Sequence, residues 1–193
     1  MPKQVDHEAR RAEIGVAALH ILAGHGPGAL TIRSLAEALG GSTALVTHYF
    51  PSRQHLLEGL VEYLLEHWKR EVAELRRQGD GTVDLRSLLV WMLPLSDWAR
   101  LCERARLSLQ ATSGEDRELG SHLLRTIDRW MRAELSAALR PHVNEEASRE
   151  RLVDVLRAAV TGVILASAEH PDEWPAERQL AVVDELLGRL RLG

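Results

Sequence analysis

The chain has 193 residues, a net charge of −4, 45% hydrophobic residues and 27% charged residues. This composition is typical of a globular protein and excludes a disordered chain. No run of about 18 apolar residues is present, and the first residues lack the apolar core of a secretory signal, so we expect no membrane span and no membrane partner. Because Cys102 is the single cysteine, no internal disulfide can form, and we expect a cytoplasmic protein.

Basic residues are distributed unevenly along the chain. Residues 1–53 contain five Lys or Arg against four Asp or Glu, together with four of the nine histidines, whereas the remainder has 19 basic against 24 acidic residues. The net negative charge argues against indiscriminate binding to nucleic acid. The asymmetry is mild and is not diagnostic by itself.

Apolar residues recur at helical spacing along nearly the whole chain, and Gly, Pro and N-capping residues mark the ends of each periodic segment. The pattern predicts helices over residues 8–24, 31–39, 42–50, 52–78, 84–93, 97–112, 115–140, 145–169 and 176–191. No stretch shows the period-two alternation of a sheet protein. The predicted fold class is therefore all-α, with a three-helix N-terminal unit followed by a longer helical bundle.

The segment "GGSTALVTHYFPSRQHLL" (residues 40–57) contains β-branched and aromatic residues that favour strands. A lone strand in an all-α chain would leave its backbone unpaired, so we predict a short helix capped by Ser42. On a helical wheel its apolar arc contains Leu45, Val46, Tyr49 and Phe50. The opposite arc is small and polar and contains Thr43, Ala44, Thr47 and His48.

A helix, a tight Gly turn and a second short helix with a compact outer face are typical of a helix-turn-helix unit that reads the major groove of DNA. Hydroxyl groups, methyl groups and the His48 ring are suitable groove contacts. Basic side chains nearby are candidates for phosphate contacts. These are Lys3, Arg10, Arg11, Arg33 and Arg53, although a solvated helix end is the simpler interpretation of Arg10 and Arg11.

Residues 10–57 resemble the DNA-binding domain of the TetR family of bacterial transcriptional regulators. The resemblance is carried by "AEIGVAALHILAGHGPGALTIRSLAEALGGS" followed by "LVTHYFPSRQHLL". It implies a helix-turn-helix DNA-binding domain over residues 1–53 and a helical ligand-binding and dimerisation domain over residues 54–193. The "LVTHYF" variant is similar to the branch that includes the choline–betaine repressor. Two positions depart from the family pattern: Thr47 replaces a Tyr that meets the DNA backbone, and Gly41 replaces a β-branched residue, which predicts a looser turn.

The resemblance implies a transcriptional repressor that binds a palindromic operator as a homodimer and is released by a small-molecule effector. It also implies a role for individual residues, namely phosphate contacts or base contacts by Thr31, Thr43, Ala44, Leu45, Thr47, His48, Tyr49 and Arg53. Arg33 joins this predicted DNA-binding set on the basis of its charge. The helical wheel instead places Leu45 on the inner face, so both positions remain open for that residue.

Tryptophans and neighbouring residues of the second part are candidates for lining an apolar effector pocket, although aromatic residues at helical spacing are more often core. The candidates are Trp68, Trp91, Met92, Trp98, Cys102 and Trp130. Cys102 lies among arginines that can lower a thiol pKa, so a redox sensor is an alternative for that residue.

Enzymatic and metal-binding functions find no support in the motifs. The histidines lack the spacing of a metal site, and no phosphate-binding or nucleophile motif is present, so we expect no cofactor, no metal and no enzymatic activity. The rival function is a helical small-molecule carrier that does not bind DNA.

The last two predicted helices indicate a homodimer. The run "LVDVLRAAVTGVILASA" (residues 152–168) is apolar on nearly every side, and such a helix needs cover on two faces. Burial of that helix within one chain is the alternative. The predicted interface residues are Leu152, Val155, Ala159, Gly162, Val163, Ala166, Val183 and Leu187.

Overall fold

The computed structural model describes residues 2–79, 81–110 and 116–192, except for the side chains of residues 2–6, 8 and 116. Within these ranges the chain forms nine α-helices and one short 3₁₀ turn, without a strand. The helices are α1 (Pro2–His25), α2 (Ile32–Ala38), α3 (Thr43–Tyr49), α4 (Arg53–Gln78), α5 (Leu85–Trp91), α6 (Asp97–Gln110), α7 (Asp116–Leu139), α8 (Glu146–Glu169) and α9 (Ala176–Leu190). The predicted all-α fold class is confirmed.

Helix ends agree with the sequence pattern at most positions. Helix α1 begins at Pro2 rather than at residue 8, and the other ends lie within two residues of their predicted positions. The predicted extension of α6 to residue 112 lies outside the described residues, as does the Lys3 side chain.

Two compact units make up the chain. The first consists of residues 1–68 and 101–127, and the second consists of residues 69–100 and 128–193. The division passes through α4, α6 and α7. The boundary expected at residue 53 stays a prediction, since a compact unit and a functional domain need not coincide.

In the first unit, α2 packs against both α1 and α3. Apolar side chains from all four N-terminal helices are buried there, among them Ile14, Leu19, Leu22, Leu35, Val46, Leu57 and Leu60. Phe50, directly after α3, is also buried, and a Cβ added at Gly59 on α4 would lie 2.3 Å from its Cε1 atom. Glycine at position 59 therefore gives the Phe50 ring its place against α4, and this packing stabilises the end of α3 despite its weak helix propensity.

The second unit contains a core in which α5 and α8 pack against α9. Its buried side chains include Leu85, Leu88, Leu89, Leu135, Val153, Leu156, Val160, Val183 and Leu187. At the surface, Arg86 on α5 donates from Nε and Nη2 to the two carboxylate oxygens of Asp184 on α9, at 2.6 and 3.1 Å. Hydrogen bonding from Arg86 lowers the pKa of Asp184 below its ordinary value.

Candidate nucleic-acid interface

Helix α3 presents two different faces. Its N-terminus is capped by Ser42, whose hydroxyl oxygen accepts a hydrogen bond from the Leu45 backbone N–H at 3.4 Å. Val46 is buried, and Leu45 and Tyr49 are half-buried. The opposite face is exposed and consists of Thr43, Ala44, Thr47 and His48. The predicted division into an apolar and a small polar face is therefore what the helix shows, with Leu45 at the border between the two.

The turn between α2 and α3 is closed by backbone hydrogen bonds. Gly40 has a φ of 62°, a left-handed conformation that glycine adopts without steric cost. The N–H of Gly40 donates to the carbonyl of Glu37 at 3.1 Å, and the N–H of Gly41 donates to the carbonyl of Ala36 at 3.0 Å. These bonds satisfy carbonyls in the last turn of α2 and close the turn. The looser turn expected from Gly41 stays a prediction.

Thr31 begins α2 in a capping box with Ser34. The Thr31 hydroxyl oxygen accepts from the Ser34 N–H at 3.0 Å, and the Ser34 hydroxyl oxygen accepts from the Thr31 N–H at 3.0 Å. Thr31 remains exposed at the helix N-terminus, where the helix dipole favours an anion. The Arg33 side chain is 85% exposed and pairs with Glu37, its Nε lying 3.0 Å from Oε1.

An aromatic cluster that sequence reasoning missed joins α1 to α3. The Tyr49 hydroxyl forms a 3.1 Å hydrogen bond with His7 Nδ1, and the His48 and Tyr49 ring centroids are 5.1 Å apart. The His7 ring lies 6.2 Å from the His48 ring. His7 is exposed and precedes Tyr49 by 42 residues. No local pattern links the two residues, so only the packing of α1 brings His7 to this surface.

The three other arginines of residues 1–53 have partners within the chain. Arg10 pairs with Glu13 at 2.5 Å, and the Arg11 guanidinium lies 5.6 Å from the centre of the Phe50 ring. Arg53 is half-buried and donates to two backbone carbonyls in the loop before α2. Arg33 therefore presents the most exposed of these four guanidinium groups.

Residues 14–60 match the family model described as bacterial regulatory proteins, tetR family. The N-terminal part of the chain therefore matches the TetR family. The predicted resemblance is thereby confirmed for the helix-turn-helix, its α1 support and the start of α4.

Two relatives with known names resemble part of the chain. It is 36% identical over 90 residues to the HTH-type transcriptional regulator BetI of Paraburkholderia phytofirmans, a match covering 46% of this chain and 45% of BetI. It is 37% identical over 57 residues to the HTH-type transcriptional regulator PksA of Bacillus subtilis, covering 30% of this chain and 28% of PksA. The matches thus span less than half of either relative.

Solved structures resemble the chain over nearly its whole length. A transcriptional regulator from Rhodococcus sp. Rha1 matches with a TM-score of 0.75 and 22% identity, covering 93% of this chain and 94% of that one. A protein from Saccharomonospora viridis described as a transcriptional regulator, solved in complex with choline, matches with a TM-score of 0.70 and 20% identity over 94% and 96% of the two chains. At these identities the likeness shows a shared fold, which here is that of a TetR-type regulator.

Two of the six predicted pocket residues are in contact with each other. Within the second unit, the Trp91 and Trp130 rings meet edge to face with centroids 6.0 Å apart, and Trp91 Nε1 donates to Glu71 Oε2 at 3.2 Å. Trp98 is half-buried, and Trp68, Met92 and Cys102 are buried. A buried thiol is usually inert, so the burial of Cys102 does not support the redox alternative.

A separate cavity of about 420 Å³ lies in the second unit and is lined by none of these six residues. Its walls come from the end of α4, the start of α5 and the end of α7, with Leu75, Val83, Ala138 and His142 among them.

The predicted dimer residues divide into an exposed and a buried set. Val155 on α8 is 44% exposed and Gly162 is also exposed. Leu165, a residue outside the predicted set, is 39% exposed on the same helix. Leu152, Ala159 and Ala166 are half-buried on the same helix. In contrast, Val163, Val183 and Leu187 are buried within the single chain and are not part of its exposed surface.

Among the described residues, no group of three or more His, Cys, Asp or Glu side chains is arranged to hold a metal ion. None of the helices in the part of the chain that the structure describes has both the length and the apolar character needed to cross a membrane.

Proposed function

We propose that the chain is a TetR-type transcriptional repressor of the bacterial cytoplasm that binds a palindromic operator as a homodimer and is released by a small-molecule effector. The observation that carries the proposal is α3: a capped helix, held by a closed glycine turn, whose exposed face has only short polar side chains and one imidazole. A surface of this shape admits base edges in the major groove.

We assign the proposed DNA contacts to the exposed side chains of α2 and α3. Thr43, Ala44, Thr47 and His48 face the bases, with Leu45 at the edge of the contact. Thr31 and Arg33 face the phosphates at the start of α2, where the helix dipole and an exposed guanidinium favour an anion. Tyr49 offers its hydroxyl to a phosphate from beside His7.

Selection of bound DNA from a random pool tests the function. A palindromic consensus with two half-sites would support both operator binding and the dimer, because the dyad of the protein imposes a dyad on the site. A carrier that does not bind DNA would enrich no sequence and would show no salt-dependent shift of labelled DNA. That outcome would refute the repressor and favour the carrier.

Substitutions in α3 test the reading face. We expect Thr47→Ala and His48→Ala each to weaken binding to the selected operator by about 1–3 kcal/mol and to relax base preference at one position, because each removes a base contact. His170→Ala, at an exposed histidine in the second unit, is the control. Fluorescence anisotropy with operator and scrambled duplexes measures both effects, and unchanged base preference in His48→Ala would remove that residue from the reading face.

For the effector, the Trp91–Trp130 pair with the Glu71 carboxylate favours an organic cation. Tryptophan rings attract cations through their quadrupole, and a carboxylate adds charge complementarity. The choline complex of the S. viridis neighbour points to the same ligand class. We therefore propose a quaternary ammonium effector.

Calorimetry with choline and its uncharged isostere 3,3-dimethylbutan-1-ol tests the effector class. We expect the protein to bind choline and not the isostere. The affinity for choline should fall in Trp91→Phe and Trp130→Phe and stay unchanged in Trp174→Phe, because the Trp174 ring contacts Arg178 instead. Equal binding of the isostere, or none of either compound, would reject a cation site at this pair.

A further inference from the structure

Arg53 connects the beginning of α4 to the loop that precedes α2. Its Nη1 donates to the Leu30 carbonyl at 3.1 Å, and its Nη2 donates to the Pro27 carbonyl at 2.7 Å. These acceptors are 23 and 26 residues away in sequence, and the side chain is half-buried. Hydrogen bonds from a charged guanidinium are stronger than neutral ones, and the planar group holds two acceptors in a set geometry.

The loop that Arg53 holds is constrained from both sides. It starts at Gly26 with a φ of 76° and makes a 3₁₀ turn over Pro27–Ala29. Ser34 of α2 donates its hydroxyl to the Ala29 carbonyl at 2.6 Å. Side chains of α2 and α4 therefore bind adjacent carbonyls of one short loop, immediately before the Thr31 cap of α2.

Arg53 thus acts at both ends of the helix-turn-helix. Helix α3 ends at Tyr49, so the first residue of α4 follows closely after it, while the loop carbonyls set the start of α2. We propose that Arg53 is a positioning residue that fixes the α2–α3 pair in its DNA-binding orientation, instead of the phosphate contact that its charge suggests. This inference rests on the proposed DNA binding only for its functional consequence, since the effect on the loop exists in the free protein.

Hydrogen exchange on the free protein tests the structural part. In Arg53→Ala and Arg53→Lys, we expect the amides of residues 29–36 to exchange about tenfold faster than in the wild type, because the loop loses its anchor. Arg33→Ala is the control, since the Arg33 side chain is 85% exposed and pairs with Glu37 on its own helix. Circular dichroism identifies any variant that fails to fold, in which case the lysine variant provides the comparison.

Salt-dependent operator binding tests the functional part. Arg53→Lys keeps the positive charge but loses the planar guanidinium that binds two carbonyls. A positioning role therefore predicts that operator affinity falls about tenfold in both Arg53 variants. The slope of log affinity against log salt should stay unchanged in both. Arg33→Ala should instead lower that slope by about one unit, as expected for a lost phosphate contact.

The opposite pattern would overturn the proposal. If Arg53→Ala lowers the salt slope by about one unit, Arg53→Lys restores binding and exchange in residues 29–36 is unchanged, Arg53 is a phosphate contact. If the wild type itself binds no DNA, the proposed function fails, while the exchange experiment still decides whether Arg53 anchors the loop.

Discussion

The direction of the Tyr49 hydrogen bond decides what its hydroxyl can offer to DNA. If His7 Nδ1 is the acceptor, the hydroxyl proton points to His7 and is not available for a phosphate oxygen. If Nδ1 carries a proton, His7 donates to the hydroxyl oxygen and Tyr49 can donate to DNA. His7 therefore acts on the proposed interface through Tyr49, in addition to its own exposed position.

We expect His7 and Tyr49 to be energetically coupled in operator binding. His7→Ala and Tyr49→Phe should each weaken binding, and the double variant should be weakened by less than the sum, with a coupling of about 0.5–1.5 kcal/mol. A double-mutant cycle measured by fluorescence anisotropy gives this value. Additive effects would show that the 3.1 Å contact does not contribute to DNA binding.

Arg33 and Arg53 show that equal charge does not mean equal function. The Arg33 guanidinium pairs with Glu37 on the same helix, and its side chain stays 85% exposed. The Arg53 guanidinium is instead turned toward backbone carbonyls of another segment. Exposure and partners, more than charge, separate a candidate phosphate contact from a structural one.

At the scale of the helices, close approach between α3 and α4 depends on one missing side chain. The Phe50 ring occupies the space that a Cβ at position 59 would take, within 2.3 Å of its Cε1 atom. Glycine in a helix interior costs stability relative to alanine. At position 59, the packing of the buried Phe50 ring offsets that cost.

Gly59→Ala should destabilise the protein by about 1–3 kcal/mol, because the added methyl group displaces the buried Phe50 ring. Gly188→Ala is the matched control: this glycine also lies within a helix, but its added Cβ has nothing within 4 Å. The control should gain up to about 1 kcal/mol from better helix propensity. Thermal unfolding compares the two, and a stabilised Gly59→Ala variant would contradict the packing argument.

The Arg86–Asp184 pair between α5 and α9 should make stability depend on pH in the acid range. Because hydrogen bonding lowers the pKa of Asp184 in the folded state, the pair stabilises the protein above the unfolded-state pKa, and this contribution is lost as the pH falls through the folded-state pKa. Asp184→Asn should therefore lose less stability than the wild type as the pH falls below the ordinary pKa of an aspartate. Thermal midpoints across that range measure it, and parallel curves for wild type and variant would refute the linkage.

For the whole molecule, the exposed apolar face of α8 is the main argument for assembly. Val155, Leu165 and the small residues between them form a face without large polar side chains. Val163, Val183 and Leu187 lie inside the chain, so the proposed interface is narrower than the sequence pattern suggests. Small residues on the exposed face allow two helices to approach closely.

Gly162→Arg should convert the proposed dimer to a monomer and lower operator affinity by about 100-fold or more, because the two half-sites would no longer be bound together. Ala168→Arg, at an exposed residue on a different side of the same helix, controls for the added charge. Light scattering at micromolar concentration gives the mass. A monomeric wild type, or a dimeric Gly162→Arg variant, would contradict the proposed interface.

The sequence by itself determined the helices, most of their ends and the two faces of α3, because these depend on local terms: hydrophobic spacing, capping hydroxyls and glycine turns. It also identified the TetR-type DNA-binding domain through closely spaced residues. Only the tertiary structure decided which basic side chains bind groups within the protein, as Arg53 binds two carbonyls. It also decided that His7, far away in sequence, lies at the proposed interface. It also decided which side of the nearly all-apolar α8 is buried. These outcomes depend on contacts between residues far apart in sequence, which local periodicity cannot predict.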